Sequence, residues 1–344
     1  MNNVSTPLTM KVPRFKGGGF IEFEEISVPK PGPGQLLIQV KANALCGSER
    51  GQFNNGAVVV PGHEAAGVVV AAGKHTRVPI GTPGVIYLMD FCGTCRACSQ
   101  GFTNQCRNKR GDMGFNKDGG YAPYELINGN IFFPIDKNIP FPEATMLLDI
   151  IGTGGHAIDR GRILHPDIQS VFVMGAGPIG LGVLAMAKIL IGKEIPVFVS
   201  DFEDYRLEIV EKLGGIPLNL KKKSLHEFFM ENDVKAVDLS IDTSGKKAAR
   251  QSGLKVLDQQ GVLICVGHGE ELHIDVSIDL IHPERAILGS EYFPYRDLER
   301  NLDILNRHFE YFSAIITHRF EAEKIKEAFD LFLKGQTGKV VIVQ

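Results

Sequence analysis

The sequence has no apolar run of the roughly 20 residues that a membrane-spanning helix needs. It also lacks an excess of charge of one sign, because 37 Lys and Arg residues stand against 40 Asp and Glu residues and leave a formal net charge of -3. A surface that binds nucleic acid usually requires a basic excess. The run Lys221 to Lys223 is most simply interpreted as a solvated turn. We therefore expect neither a membrane nor a nucleic acid as a partner.

The first ten residues are polar and lack the basic and apolar segments of a secretory signal, so we expect a cytoplasmic protein. Hydrophobic residues make up 44% and charged residues 22% of the chain, which is typical of a globular protein rather than a disordered one. At 344 residues the chain exceeds the usual size of one hydrophobic core. Two domains are therefore expected.

Four of the six cysteines lie close together, in the pattern CxxCxxCxxxxxxxC formed by Cys92, Cys95, Cys98 and Cys106. In a reducing compartment such crowding indicates a metal site rather than disulfides. Repeated CxxC steps let one loop surround a cation, and four thiolates leave no position open for a substrate. An iron–sulfur cluster is the alternative with the same ligands. We favour a structural zinc site, because the rest of the chain supplies a different redox carrier.

That carrier is indicated by residues 169 to 191. A short apolar run at 171–174 predicts a buried parallel strand, and a helical pattern follows it. Between them stands the loop Gly175-Ala176-Gly177-Pro178-Ile179-Gly180. A strand that ends at glycines facing a helix N-terminus binds a pyrophosphate: Gly175 permits the tight turn, Gly177 lets the backbone approach the phosphates, and Gly180 lets helix and strand pack closely. Pro178 suits the first helical turn.

A second apolar run, 197–200, ends in Asp201, which lies 21 residues after Gly180. This spacing is near that of an acid that binds the ribose hydroxyls of a dinucleotide. Without Asp201 the glycines alone would be weak support for a dinucleotide, because a flexible turn has the same composition. The two features together predict a nucleotide-binding domain.

Strand-like runs alternate with helical patterns through the second half of the chain, which predicts a doubly wound parallel sheet. The runs lie at 171–174, 197–200, 216–220, 237–241, 261–266 and 286–289. Earlier runs at 36–40 and 125–127 indicate a β-rich first domain, and the closing run 338–343 predicts a strand that returns to it. Helical patterns are predicted at 140–157, 298–308 and 322–333. The expected domains are 1–147 completed by 288–344, and 148–287.

Two further motifs, Cys46-Gly47-Ser48-Glu49 and Pro61-Gly62-His63-Glu64, lie at ends of predicted strands. Alone, Cys46 would be interpreted as a buried cysteine and His63 as a structural histidine. Together, a thiolate and an imidazole are suitable zinc ligands, and a catalytic zinc site needs three protein ligands with one position open.

These motifs together resemble the zinc-dependent medium-chain dehydrogenase/reductase family, which includes alcohol, polyol and threonine dehydrogenases. The resemblance covers nearly the whole chain and includes the closing Gly338-Lys339-Val340. It implies an α/β protein with a GroES-like β-rich catalytic domain and a Rossmann doubly wound domain. It also implies a homodimer or homotetramer, two zinc ions per chain, and NAD. Asp201 favours NAD over NADP, even though Arg206 is nearby.

By this resemblance, Cys46, His63 and Asp149 hold the catalytic zinc, Glu64 lies beside it, and Ser48 passes the proton. Asp149 follows three apolar residues, which suggests burial, although taken alone it would be interpreted as a helix-surface carboxylate. Glu64 is the alternative third ligand. Because Glu64 adjoins His63 in a segment expected to be extended, we expect its side chain to point to the opposite face.

The sequence departs from the family pattern at three places. Gly51 stands where many alcohol dehydrogenases have a proton-relay His, and Gly81-Thr82-Pro83-Gly84 replaces the usual Gly-Asp-Arg-Val. The third zinc ligand of the family is commonly Cys or Glu, and Asp149 has a shorter reach than Glu. Cys-Gly-Ser with an acidic third ligand resembles the polyol and sugar branch. The expected reaction therefore transfers a hydride between NAD and a secondary alcohol, with a polyol, cyclitol or amino-polyol favoured. The alternatives are a simple-alcohol or threonine dehydrogenase, a zinc-free quinone or enoyl reductase, and a non-catalytic NAD-binding protein.

Overall fold

The structure, a computed structural model, describes residues 6–344. The chain forms two compact units, each built from more than one segment. The first comprises the chain up to Leu148 together with Pro294–Lys334 and Lys339–Gln344, and the second comprises Asp149–Phe293 and Gly335–Gly338.

The strands are β1 (Thr9–Gly17), β2 (Phe20–Ser27), β3 (Gln35–Ala44), β4 (Ala65–Ala72), β5 (Pro83–Ile86), β6 (Tyr124–Asn128), β7 (Phe132–Pro134), β8 (Val171–Met174), β9 (Val197–Asp201), β10 (Ile216–Asn219), β11 (Val237–Asp242), β12 (Leu257–Cys265), β13 (Ala286–Gly289), β14 (Ile316–Glu321) and β15 (Lys339–Val343).

The α-helices are α1 (Arg50–Asn55), α2 (Arg96–Ser99), α3 (Phe141–Ala144), α4 (Gly154–Leu164), α5 (Pro178–Leu190), α6 (Asp204–Lys212), α7 (Leu225–Glu231), α8 (Lys247–Lys255), α9 (Leu298–Arg307), α10 (Phe309–Ser313) and α11 (Ile325–Leu333). Short 3₁₀ turns join several of them. Among the described residues, no helix is both long enough and apolar enough to cross a bilayer.

The first unit contains a seven-stranded sheet in the order β14-β15-β3-β4-β5-β7, with β6 also paired to β3. The closing strand β15 runs antiparallel to β3 and parallel to β14, which confirms that the end of the chain returns to the first part. The strand-like run at 125–127 is confirmed as a strand, because β6 pairs antiparallel with β3. An aromatic cluster of Phe15, Phe53, Tyr121 and Phe329 lies in the core of this unit.

The second unit contains six parallel strands in the order β10-β9-β8-β11-β12-β13. Each predicted strand of the alternating pattern is present, with ends that differ by a few residues at most. Strand β8 is fully buried, as expected for a short apolar run in the middle of a parallel sheet covered on both faces. The predicted doubly wound sheet, and with it the α/β fold class, is confirmed.

The prediction of one helical segment at 140–157 is only partly correct. Helix α3 ends at Ala144, a 3₁₀ turn follows, and residues Asp149–Thr153 form a π-helix before α4. Close packing explains the irregularity: a Cβ on Gly152 would lie 2.3 Å from the Phe293 ring, and one on Gly154 would lie 2.8 Å from the Gly182 carbonyl carbon. Glycines that permit these contacts also weaken a regular helix.

Candidate metal centres and nucleotide site

The four cysteines of the CxxCxxCxxxxxxxC loop converge on one point. Their sulfur atoms all lie within 4.8 Å of one another. The Sγ–Sγ distance is 3.6 Å for Cys95 and Cys98, 3.9 Å for Cys95 and Cys106, and 4.0 Å for Cys92 and Cys98. A tetrahedral zinc with Zn–S bonds of about 2.3 Å places its sulfurs about 3.8 Å apart. The geometry and chemistry of this donor set therefore fit zinc.

Main-chain groups of the loop also favour the thiolate form of one ligand. The N–H groups of Thr94 and Cys95 each donate to the Cys92 sulfur over 3.4 Å. The hydrogen bond from Thr94 is the largest of the effects that lower the pKa of Cys92 to about 6. Burial raises the pKa of Cys98 to about 12, and a bound cation would favour its thiolate form.

The cysteine loop packs against the segment that follows Pro294. The Thr103 hydroxyl accepts a 2.7 Å hydrogen bond from the Tyr295 N–H, and Arg296 donates to the Gln100 carbonyl over 3.2 Å. The Arg296 guanidinium also lies 5.1 Å from the centre of the Phe102 ring. The cysteine loop is therefore anchored to the segment after Pro294 within the first unit.

A second group of potential ligands lies elsewhere in the chain, and all four of its members are buried. It consists of Cys46, His63, Glu64 and Asp149, and one ligand atom from each lies within 4.8 Å of the others. Cys46 follows the end of β3, Glu64 immediately precedes β4, and Asp149 begins the π-helix directly after Leu148. The predicted burial of Asp149 is confirmed, since only 4% of its surface is exposed. A thiol, an imidazole and carboxylates in one buried cluster are a donor set that fits zinc.

Glu49 orients the histidine of this group. Its Oε1 lies 2.8 Å from His63 Nδ1, and its Oε2 accepts a 3.3 Å hydrogen bond from the Cys46 N–H. Because Nδ1 is hydrogen-bonded to the Glu49 carboxylate, His63 would coordinate a metal through its other ring nitrogen, Nε2. Our sequence interpretation gave Glu49 no role, although the residue stands three positions after Cys46. The spacing alone did not show that its side chain turns back toward His63.

The Glu64 carboxylate forms an ion pair with Lys339, and both side chains have no exposed surface. The expectation that Glu64 points away from His63 is wrong, because both side chains reach the same cluster. The segment is not a regular extended strand: Gly62 has a φ of +102°, and β4 begins only at Ala65. The alternation of a strand therefore does not apply. Lys339 was part of the family resemblance, but no role was predicted for it.

Ser48 and Gly51 lie in the turn and helix that follow Cys46. Ser48 belongs to the 3₁₀ turn Gly47–Glu49 and is exposed, whereas Cys46 and Glu49 on either side of it are buried. Gly51 lies in the first turn of α1, and a Cβ there would meet no atom within 4 Å. The space that a longer side chain would fill at position 51 is therefore open.

The glycine loop of the second unit joins β8 to α5, which begins at Pro178 as predicted. Gly175 has a φ of +100°, a conformation that other residues rarely adopt. A Cβ on Gly180 would lie 1.8 Å from the Gly175 carbonyl oxygen, so no side chain fits there. A Cβ on Gly177 would meet only an Arg206 nitrogen, 4.0 Å away. The loop is thus tightly packed at Gly180 and open at Gly177, which fits a pyrophosphate at the helix N-terminus. Gly175, Gly177 and Ile179 form its partly exposed face.

Asp201, at the end of β9, is hydrogen-bonded to this loop. Its Oδ2 accepts from the Ala176 N–H over 2.7 Å, and its Oδ1 accepts from the N–H groups of Phe202 and Glu203. Arg206 lies 4.0 Å from Oδ2 and donates to the Thr337 carbonyl. The carboxylate is therefore held beside the glycines by short hydrogen bonds, next to one cation.

Known proteins are similar to this chain in both sequence and fold. Residues 32–137 match the alcohol dehydrogenase GroES-like domain, and residues 155–342 match the glucose dehydrogenase C-terminus. L-threonine 3-dehydrogenase of Pyrococcus horikoshii is 30% identical, covering 95% of this chain and 96% of its own. The chain belongs to the zinc-dependent medium-chain dehydrogenase/reductase family. It is an oxidoreductase of the zinc-type alcohol dehydrogenase kind, so the interpretation as a non-catalytic protein is not supported.

Other relatives carry different names. An uncharacterized zinc-type alcohol dehydrogenase-like protein of Escherichia coli is 28% identical, covering 97% of this chain and 98% of its own. An E. coli alcohol dehydrogenase in complex with NADH has the same fold, with a TM-score of 0.88, 23% identity, and coverage of 98% of this chain and 100% of that one. The 2R,3R-butanediol dehydrogenase of Bacillus subtilis gives a TM-score of 0.85 at 20% identity, with 97% and 99% of the two chains covered.

Proposed function

We propose that the chain transfers a hydride between a secondary alcohol and NAD, giving the ketone, with zinc held by the buried cluster around His63. The observation that carries this proposal is the convergence of Cys46, His63, Glu64 and Asp149 within 4.8 Å, with His63 Nδ1 fixed by Glu49. Held by these residues, zinc would supply a Lewis acid that lowers the pKa of a substrate hydroxyl, and NAD would supply the hydride acceptor.

The zinc ligands in this proposal are Cys46, His63 and Asp149. The ion pair between Glu64 and Lys339 supports a neighbouring role for Glu64, since ligation by Glu64 would compete with a completely buried ammonium group. A second zinc at Cys92, Cys95, Cys98 and Cys106 is structural in this account, because four thiolates leave no open position.

In the proposed reaction the Ser48 hydroxyl relays a proton: its oxygen accepts the proton of the substrate alcohol while its own O–H proton passes to water. The exposure of Ser48 supports this role, because water can reach the hydroxyl directly. Such a route needs no histidine at position 51, where Gly51 stands. Ser48→Ala tests it: kcat should fall about 10² to 10⁴-fold, the usual contribution of general acid–base catalysis, while the zinc content stays the same.

The proposed site for NAD is the loop Gly175-Ala176-Gly177-Pro178-Ile179-Gly180 with Asp201. The open space beside Gly177 accommodates the pyrophosphate, and the Asp201 carboxylate accepts hydrogen bonds from the ribose hydroxyls. A 2′-phosphate at the same place would meet that carboxylate, so NAD is preferred over NADP. Arg206 lessens this repulsion but does not remove it, because it also donates to the Thr337 carbonyl.

The substrate class that we propose is a polyol, cyclitol or amino-polyol, because the cluster provides an acidic third ligand after Cys46-Gly47-Ser48. L-Threonine oxidation is the second candidate, favoured by the relative named for it at 30% identity. A panel of polyols, cyclitols, amino-polyols, simple alcohols and L-threonine with NAD⁺, read by NADH absorbance, separates the two. The proposed class gives the highest kcat/KM with a polyol-type compound, and a highest value with L-threonine or a simple alcohol contradicts it.

We further propose that the first unit is the catalytic domain and the second the NAD-binding domain, with boundaries near residues 147 and 288.

We also propose that the protein is a cytoplasmic homodimer or homotetramer. Strand β13 is at the edge of the parallel sheet, and the preceding π-helix exposes Val276, Ile278 and Ile281. Two copies that pair these edges symmetrically would cover both features. Light scattering of the wild type should give the mass of a dimer or tetramer, and Ile278→Glu should lower this mass. A monomeric wild type would contradict the proposal.

A further inference from the structure

Tyr121 is completely buried, yet it has a polar contact that the proposed mechanism does not use. Its hydroxyl donates a 2.6 Å hydrogen bond to Glu49 Oε2, and Glu49 Oε1 lies 2.8 Å from His63 Nδ1. The tyrosine, the glutamate and the histidine thus form one chain of hydrogen bonds that ends at a proposed zinc ligand. Hydrogen bonds to an ionised acceptor are stronger than neutral ones.

The Tyr121 ring is fixed independently of this contact. It stacks on Phe15 with ring centres 6.2 Å apart and meets the edge of Phe329 at 5.9 Å. Its N–H donates to the Pro61 carbonyl over 3.1 Å, and a Cβ on Gly62 would lie only 2.7 Å from the Tyr121 nitrogen. The tyrosine is therefore packed directly on the segment that carries His63, and its hydroxyl has little freedom to move.

Glu49 depends on this hydroxyl. Its side chain has no exposed surface, so its oxygens cannot bond to bulk water. Without the Tyr121 hydroxyl, Oε2 would keep the 3.3 Å hydrogen bond from the Cys46 N–H, while Oε1 would keep its contact with His63. A buried carboxylate oxygen with one long hydrogen bond is costly and poorly oriented. Burial, followed by the nearby Glu49 charge, raises the pKa of Tyr121 well above its ordinary value, so the phenol remains a donor.

We propose that Tyr121 is a positioning residue of the metal centre, whose hydroxyl holds Glu49 against His63 and thereby increases the affinity of the Cys46, His63 and Asp149 group for zinc. The inference rests on the proposed function, since it takes this group as the zinc site. Carboxylates that orient a metal-bound histidine typically contribute 10- to 100-fold in metal affinity. Because Tyr121 acts through such a carboxylate, its removal should weaken zinc binding by about three- to tenfold.

The test is chelator competition for zinc in Tyr121→Phe, without substrate or cofactor. This variant removes one oxygen atom and leaves the ring in place. Zinc at the Cys46 group should dissociate about three- to tenfold more readily, while zinc at the four-cysteine loop, an internal reference, keeps its affinity. Cobalt substituted at the Cys46 group should show a shifted absorption spectrum. Tyr295→Phe is the matched control, because it removes a hydroxyl hydrogen bond of the same 2.6 Å length to the Phe132 carbonyl.

A merely structural tyrosine would lower the melting temperature in Tyr121→Phe and leave the zinc affinity and the cobalt spectrum unchanged, which would overturn the inference. Glu49→Asp is the second variant, because the shorter carboxylate cannot reach both Tyr121 and His63. It should also weaken zinc binding, and wild-type affinity in Glu49→Asp would overturn the inference even if Tyr121→Phe did not fold. A wild type that binds zinc only at the four cysteines would instead refute the proposed function itself.

Discussion

Lys339 and Glu64 form an ion pair in which neither side chain has any exposed surface, although 275 residues separate them in the sequence. Lys339 is the first residue of the closing strand β15, and Glu64 immediately precedes β4. The last strand therefore brings a positive charge beside the proposed zinc ligands. This charge compensates a carboxylate that is removed from water, a group that is costly to bury alone.

Removal of this cation should destabilise the protein. Lys339→Met leaves the Glu64 carboxylate buried without its ammonium partner, and breaking a buried pair in this way typically costs about 3 to 5 kcal/mol. Chemical denaturation of the metal-free protein measures the loss. The double variant Lys339→Met/Glu64→Gln should recover part of it, since the Glu64 charge that Lys339 compensates is then also removed. A loss below about 1 kcal/mol in Lys339→Met would show that the pair does not stabilise the fold.

The four-cysteine site should act on stability rather than on chemistry. Cys98→Ser removes one of four ligands, so the zinc content should fall from two ions to one per chain, and the melting temperature should fall with it. The contacts of this loop with Tyr295 and Arg296 explain why its loss would loosen the first unit. Zinc analysis and thermal melting test this. Unchanged melting with full zinc content would contradict the assignment, and Ser99→Ala, outside the ligand set, is the control.

Asp201 should select the cofactor. Asp201→Ser removes the carboxylate that would repel a 2′-phosphate and leaves Arg206 nearby to attract it, so kcat/KM with NADP⁺ relative to NAD⁺ should rise about tenfold or more. The ratio is measured with one alcohol substrate and both cofactors. Asp204→Ser, an exposed acid at the start of α6, is the matched control and should change the ratio little. A wild type that already prefers NADP⁺ would refute the role of Asp201.

The buried carboxyl group of Glu125 should lower the free energy of unfolding as the pH rises. The side chain is buried in β6, and within residues 6–344 neither carboxylate oxygen has a hydrogen-bond partner. Burial, followed by the charge of Asp118, raises the pKa of Glu125 well above its ordinary value. At low pH both the folded and the unfolded states are protonated. Above the unfolded-state pKa of about 4.3, only the unfolded state ionises readily, so folding becomes less favourable until the folded-state pKa is reached.

Glu125→Gln removes this ionisation. The variant should therefore be more stable than the wild type by about 1 to 3 kcal/mol at pH 8 and nearly equal to it at pH 4.5. Denaturant titrations at the two pH values measure the difference. Glu143→Gln is the control, because Glu143 is a buried acid paired with Arg319 and should lose stability when neutralised. An equal effect of Glu125→Gln at both pH values would contradict the account.

Local patterns predicted most of the fold. The short apolar runs of β8 and β9, each followed by glycines or an acid, predicted strands and a nucleotide loop, because these signals lie within a few residues of one another. Glu49, Tyr121 and Lys339 were not recognised as site residues, because their contacts join parts of the chain 14, 72 and 275 residues apart. The wrong prediction of the Glu64 side-chain direction has a local cause. The positive φ of Gly62 interrupts the extended backbone, so successive side chains no longer alternate between two faces.

The central claim is that Cys46, His63 and Asp149 hold the catalytic zinc while Glu64 stays with Lys339. Zinc stoichiometry in Asp149→Asn beside Glu64→Gln tests it most directly, with metal analysis after dialysis against a mild chelator. We predict two zinc ions per chain in the wild type and in Glu64→Gln, and one in Asp149→Asn, which should also lose most of its turnover. Two tightly bound zinc ions and near-normal turnover in Asp149→Asn, with only one zinc ion in Glu64→Gln, would contradict the account and make Glu64 the third ligand.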